Sequence, residues 1–305
     1  MAAPHADSRT PSAADPGGHR LPAALRGMRP RQWVKNLLVA AAPLAAGEIG
    51  DPDVAFATLL ALLSFCAASS AVYLVNDVAD RESDRVHPIK RHRPVASGEL
   101  SVRRALTLAT VLAVAALLVA LAADWRLAAL ELGYLVLQAG YAVRLKHEPV
   151  LDLSIVAAGF LMRAVAGGLA ADLPLSQWFL LVAGFGSLFI VSGKRYSELH
   201  TLGSAAGTRR ALVGYTDTYL RFVWSMAAGA TLMAYSLWAF EEGAAESVPW
   251  HTMSIAPFVM AMLRYAVDVD AGTAAEPEDI VFQDRVLQLL GVVWLATLAF
   301  GMIGA

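Results

Sequence analysis

Charge is what this 305-residue chain has least of: Asp, Glu, Lys and Arg together make up 16% of it, against about 25% in an ordinary soluble domain. Hydrophobic residues reach 57%. Cysteine is nearly missing. Cys66 stands alone, which excludes an intrachain disulfide framework and a cysteine metal site. The N-terminal stretch lacks the apolar core of a signal peptide. Residues 1–25, rich in Ala, Pro, Ser and Gly, read as a disordered cytoplasmic tail ahead of one membrane domain, 26–305. No short internal repeat is visible, and no nucleic-acid partner is expected.

Long apolar runs are what the chain has instead. Segments 102–123, 127–143, 153–171, 177–193, 222–240 and 286–304 each approach the roughly 20 residues that cross a bilayer as a helix. Segments 33–50, 55–75 and 252–267 are shorter or interrupted. Nine spans predict an all-α, polytopic membrane bundle. With the N-terminus in the cytoplasm, 22 of the 24 Lys and Arg fall before, in or beside inner connections. Arg126 alone lies outside and Arg163 alone lies within a span, while outer loops carry Glu48, Asp51, Asp53, Asp124, Asp172, Glu241, Glu242 and Glu246. That asymmetry is the positive-inside pattern. It predicts an inner (plasma) membrane protein whose working surface faces the cytoplasm.

The polar residues cluster at the inner ends. In "YLVNDVADRESDR", Asn76, Asp80 and Asp84 are spaced i, i+4, i+8 and share a helical face, with Tyr73 one turn earlier. Asp77 points about 100° away and reads as a supporting residue. These hard oxygen donors suit Mg²⁺, which also takes phosphate oxygens and water; the plainer reading is a solvated helix end offset by Arg81 and Arg85. The following "IKRHRPVASGEL" holds Lys90, Arg91 and Arg93, suited to a second anionic group or to lipid headgroups. "RPRQWVKNLLV" places Lys35 and Asn36 at the inner boundary, where Lys35 either snorkels or meets a ligand. "YAVRLKHEPVLD" supplies Tyr141, Arg144, Lys146 and Asp152.

Arg163, eleven residues beyond Asp152, shares its face within about 20° but lies about 16 Å along the axis, too far to pair. A buried arginine faces the bundle interior, so Arg163 braces the bundle or meets a substrate phosphate. "SGKRYSE" adds Lys194 and Arg195, and "LRYAVDVD" adds Arg264 ahead of an acidic segment, 268–284, that reads as a solvated loop. His87, His92, His147 and His200 lie in loops and read as solvated, so no His–carboxylate base is expected.

"NDVADRESD" fits the motif N-D-x-x-D-x-x-x-D of the UbiA superfamily of intramembrane prenyltransferases, and the resemblance runs from about residue 26 to the end. It implies a nine-helix bundle with a cytoplasm-facing cavity. The superfamily's second motif, D-x-x-x-D, is reduced here to "DLSIV", where Asp152 lacks its partner. The segments "RPRQWVKNLLV", "YAVRLK", "SGKRYSE" and "LRYAVDVD" are similar to a branch that transfers a pentose phosphate. That resemblance implies a phosphoribosyltransferase with 5-phosphoribosyl 1-diphosphate as donor and a polyprenyl (decaprenyl) phosphate as acceptor, supplying cell-wall arabinan. It implies Mg²⁺ as cofactor on Asn76, Asp80 and Asp84, and Asp77, Asp80 and Asp84 as catalytic residues. Substrate would be bound by Lys35, Tyr73, Asn76, Lys90, Arg93, Tyr141, Lys146, Asp152, Arg163, Lys194, Arg195 and Arg264. A prenyltransferase acting on an aromatic acceptor and a non-enzymatic transporter remain alternatives, although a transporter would show more mid-membrane polarity than Arg163. A homo-oligomer is left open.

Overall fold

The computed structural model describes residues 21–202, 214–244, 247–272, 274, 280 and 283–304. Residues 1–20 of the tail, Arg209, Arg210, Glu246 and much of the acidic segment lie outside the described residues. Among the described residues every element is helical: α1 (Ala23–Met28), a 3₁₀ segment (Pro30–Ala40), α2 (Ala41–Ala45), α3 (Pro52–Ala79), α4 (Arg81–Val86) and α5 (Pro94–Ser97), with short 3₁₀ turns at Lys90–His92 and Leu145–His147. There follow α6 (Val102–Ala123), α7 (Trp125–Val143), α8 (Pro149–Ala170), α9 (Gln177–Leu202), α10 (Asp217–Gly243), α11 (Trp250–Asp270) and α12 (Arg285–Gly304).

Local chemistry sets the boundaries. Asp51 caps α3 by accepting from the Asp53 and Val54 amides at 2.8 and 3.1 Å, with Pro52 at the first helical position. Ser101, Asp124 and Thr216 cap α6, α7 and α10 in the same way. Gly98, at φ 86°, ends α5 in the left-handed region that favours glycine.

Among the described residues seven helices are long and apolar enough to cross a membrane: α3, α6, α8, α9, α10, α11 and α12. Two of the nine expected spans fall short of that standard. The helix α7 has 19 residues and is diluted by Arg126, Glu131 and Gln138. The first candidate is not one α-helix. Arg29 takes φ 55°, and the chain then runs as 3₁₀ for 11 residues before the short α2. At three residues per turn, side chains i and i+3 eclipse. Trp33, Asn36 and Val39 therefore line one edge: Trp33 Nε1 donates to Ser70 Oγ at 3.0 Å, Asn36 Nδ2 to Ser69 Oγ at 3.2 Å, and Val39 is core. That edge lies against α8 at Gly167, where an added Cβ would overlap the Val39 carbonyl oxygen and sit 3.1 Å from Pro43 Cδ.

Contacts between helix ends show strict alternation. Arg126, Asp124 and Asp172 meet at one end, where Trp178 Nε1 also donates to Glu241 at 2.5 Å. At the opposite end Lys146 meets Asp80, Arg195 meets Asp152, and Arg264 meets Asp284. Successive long helices thus run antiparallel and bring the basic connections to one end. Burial divides into a cluster around Phe65, Leu127 and Tyr134, another around Tyr196, Leu220 and Val269, and a smaller one around Leu74 and Val95 at the basic end. Large apolar side chains such as Leu118, Val136, Met233 and Leu289 are exposed on the outer flank, as lipid contact requires.

Candidate active site at the basic end

The acidic motif sits where α3 stops. Asp80 caps the helix at φ −92°, ψ 4°, and α4 resumes at Arg81. The backbone bonds continue across the break, from Asp80 N to Asn76 O at 2.9 Å and from Asp84 N to Asp80 O at 2.8 Å. The expected stripe divides in two, since seven residues at about 100° each place Asp84 within about 20° of Asp77 even along a continuous helix. Asp77 and Asp84 are both buried, at 1% and 3% exposure, and Arg93 joins them, its Nη1 donating to Asp77 Oδ1 at 3.3 Å and Asp84 Oδ2 at 2.8 Å. Arg29 also donates to Asp77 Oδ1, and its guanidinium lies 5.0 Å from the Tyr73 ring centre. Asp80 remains accessible and accepts from Lys146, carried on the turn between α7 and α8.

A second cluster surrounds Asp152 in the first turn of α8. The carboxylate is fully buried and accepts both arms of Arg195, Nε to Oδ2 and Nη2 to Oδ1, each at 2.8 Å. Tyr141 adds a bond to Oδ1 at 2.7 Å and Tyr215 one to Oδ2 at 3.3 Å. Arg195 Nη1 continues to Glu198 at 2.9 Å, and Lys194 stands 4.0 Å from the same carboxylate. Burial, and next the neighbouring Asp152 charge, push the Tyr215 phenol above its ordinary range. With four bonds accepted, Asp152 is spent on protein partners.

Arg163 has a third setting, away from either carboxylate cluster. Its Nε donates to Asn36 Oδ1 at 2.7 Å, Nη1 to the Gly159 carbonyl at 2.7 Å and Nη2 to Tyr134 at 2.9 Å. Phe65, Tyr134 and Phe160 present their rings 5.0–5.9 Å from the guanidinium carbon. Arg264, near the basic end of α11, donates to Asp284 at 2.5 Å and holds that carboxyl below its ordinary range. Lys35 lies half-buried on the 3₁₀ segment, and Lys90 opens a 3₁₀ turn ahead of α5.

The structure therefore brings together Tyr73, Asp77, Asp84 and Arg93 as one set, Asp80 with Lys146 as another, and Tyr141, Asp152 and Arg195 as a third. Two partners escape sequence reasoning. Arg29 was one more flanking cation, and only its left-handed backbone turns it back onto Asp77. Tyr215 lies 63 residues from Asp152 and carries no local signal.

A divalent cation fits the acidic motif under one condition. Among the described residues no three His, Cys, Asp or Glu side chains converge into a metal site by themselves. Mg²⁺, however, ordinarily takes one or two protein carboxylates and completes its shell with phosphate oxygens and water. Asp80, at 36% side-chain exposure, and Asn76 one turn before it offer that partial shell. Asp77 Oδ2 is buried with no hydrogen-bond partner, a further oxygen the protein leaves unmatched.

Residues 37–283 match the UbiA prenyltransferase family. The chain belongs to that family. Among its UbiA relatives is the decaprenyl-phosphate phosphoribosyltransferase of Mycolicibacterium smegmatis, 46% identical with 98% of each chain covered. The Mycobacterium tuberculosis protein of the same name is 48% identical over 94% of this chain and 97% of its own. A UbiA homolog from Archaeoglobus fulgidus, solved bound to GPP and Mg²⁺, shares the fold with a TM-score of 0.68 at 21% identity, covering 92% of this chain and 98% of that one. As a UbiA protein with seven helices of membrane-spanning length and composition, the chain is an integral membrane protein.

Proposed function

We propose that this chain moves 5-phosphoribose from 5-phosphoribosyl 1-diphosphate to a polyprenyl phosphate, releasing diphosphate and giving a polyprenylphosphoryl-5-phosphoribose. The observation that carries the reading is identity of 46–48% over nearly the whole length of relatives named for that transfer. The Asp152 cluster supports it independently. A carboxylate clamped by Arg195, Tyr141 and Tyr215 is not available for a second metal, so one metal-bearing motif serves the donor.

In this reading the first crossing and α7 complete nine passes, and the basic end faces the cytoplasm of a cell with its plasma membrane around the bundle. Asn76, Asp80 and Asp84 would hold Mg²⁺, whose chemistry there would be to offset charge on the leaving diphosphate. Asp77 keeps Arg29 and Arg93 in place. Lys90, Lys146 and Lys194 hold donor phosphates, and Lys35, Tyr73 and Arg264 complete the polar mouth. Asp152, Tyr141 and Arg195 fix one another and set the position of α9 against α8. The acceptor phosphate is an anion at neutral pH and attacks C1 of the ribose without a strong base. Arg163 lies deeper, held by Asn36, Gly159 and Tyr134, and braces the bundle.

The test is transfer of labelled phosphoribose by the purified protein, with Mg²⁺ and a polyprenyl phosphate in detergent. The expected product is a lipid-linked phosphoribose, and excess chelator abolishes it. Prenylation of an aromatic acid, with no phosphoribose on any polyprenyl phosphate, would refute the assignment and leave the family alone standing.

A further inference from the structure

The three carboxylates of the acidic motif already hold three protein cations. Asp77 takes Arg29 and Arg93, Asp84 takes Arg93, and Asp80 takes Lys146. The motif is thus electrically balanced by the chain itself before a ligand arrives. The three pairings differ in what holds them. Arg29 is fixed by its left-handed backbone and its seat over Tyr73. Arg93 bridges two carboxylates that are almost fully buried and stands directly before Pro94 at the start of α5. Breaking either would strand a buried charge. Lys146 is different. It reaches Asp80 from a three-residue 3₁₀ turn on another helical hairpin, and both partners keep contact with solvent, at 18% and 36% side-chain exposure. A lysine is a point charge on a flexible stem, able to exchange one anionic partner for another.

We infer that Lys146 is the resident counter-cation of Asp80 and is exchanged on ligand binding: diphosphate draws the ammonium away and Asp80 turns to the metal. The inference rests on the reading that this motif takes Mg²⁺ with a diphosphate. Its consequence is linkage. Metal alone must displace Lys146 without compensation and binds weakly, whereas diphosphate gives the ammonium a new partner, so each ligand strengthens the other by the same factor. The absence of three converging carboxylates among the described residues accords with a metal that depends on this exchange. Lys146 then acts twice, as a lock on Asp80 and as a phosphate ligand, and its ε-amine is the moving part.

Two measurements test this, and neither reads phosphoribosyl transfer, so failure of the assigned reaction and failure of the exchange are distinguishable. The first is Mn²⁺ binding to purified protein without diphosphate. Lys146→Met is expected to bind Mn²⁺ about tenfold tighter than wild type, within the usual range of coupling between sites, while Lys146→Arg and Lys90→Met are not. The second uses only the wild type: acylation of Lys146 by a soluble active ester, read by mass spectrometry. Saturating Mg²⁺ is expected to raise labelling as the amine leaves Asp80, and added inorganic diphosphate to lower it again. Unchanged Mn²⁺ affinity in a folded Lys146→Met protein, or Lys146 labelling indifferent to Mg²⁺, would overturn the inference.

Discussion

Replacing Asp152 by Leu and Arg195 by Met, singly and together, isolates the buried clamp. Asp152 is 1% and Arg195 11% exposed at the side chain, and two bonds of 2.8 Å join them. Removing one member leaves the other charge in a closed site, which costs about 3–5 kcal/mol in comparable buried pairs. In Asp152→Leu, Arg195 keeps Glu198 at 2.9 Å, which sets the expectation at the lower end, about 3 kcal/mol. In Arg195→Met the carboxylate keeps only the Tyr141 and Tyr215 hydroxyls, so the loss nears the upper end. The double variant strands no charge at Asp152 or Arg195, and Glu198 still faces Lys194 at 4.0 Å. Its main deficit is the Tyr141 hydroxyl, which loses its acceptor at about 1 kcal/mol. Singles of about 3 and 5 kcal/mol against a double of about 1 kcal/mol put the coupling at about 7 kcal/mol, well above the roughly 0.5–3 kcal/mol of ordinary contacting pairs. Heating the detergent-solubilised proteins and following the monodisperse fraction by size exclusion gives the ordering: both singles melt on the order of 10 °C lower, and the double recovers most of that. Additive losses, or a harmless Arg195→Met, would refute the clamp and return Arg195 to the substrate.

Other outcomes follow from the same geometry. Asp80→Asn should nearly abolish transfer with an unchanged melting profile, because the accessible pair with Lys146 is worth at most about 1 kcal/mol; wild-type turnover in that variant would remove Asp80 from the site. Arg163→Lys keeps the charge but cannot span Asn36, Gly159 and Tyr134 together, so two lost bonds should lower stability by about 2 kcal/mol, seen as earlier thermal aggregation. Gly167→Ala should fail to accumulate as folded protein, since the overlap is with the backbone of the 3₁₀ segment. Gly168→Ala, where the nearest obstacle is a Leu175 methyl at 2.6 Å, should be tolerated after that side chain shifts. His87→Cys in a Cys66→Ser background should react with an impermeant maleimide only after the cells are opened, which fixes the basic end inside.

Much of the fold is legible in sequence because the bilayer leaves few choices. Apolar runs of span length and the one-sided distribution of cations order the helices, and the end contacts of Lys146, Arg195 and Arg126 follow that alternation. The irregular first crossing was not legible. Nothing in "RPRQWVKNLLV" announces that Arg29 takes a left-handed backbone, and a 100° periodicity separates Trp33, Asn36 and Val39, which the 3₁₀ geometry superimposes. The acidic motif is legible as a group, but its internal division is not: in an unbroken helix Asp84 already falls within about 20° of Asp77, and nothing local says that Arg93 joins those two while Asp80 turns to Lys146. Charge and position alone single out Arg93, Lys146, Arg195 and Arg264 but do not show the carboxylates, Asp84, Asp80, Asp152 and Asp284, that the fold brings to them.

The 3₁₀ segment gives the first crossing its own reading frame. Eleven residues at about 2.0 Å each reach about 22 Å, where an α-helix of that length would reach about 16 Å. A three-residue deletion there would leave the surviving edge positions in line and shorten the crossing by about 6 Å. A four-residue deletion, nearly silent for the face of an α-helix, would turn that edge by about a third of a circle and present Gly167 with the wrong side. Insertions and deletions in related chains should therefore come in threes between Pro30 and Ala40 and in other steps elsewhere, a pattern readable from sequences without any further structure.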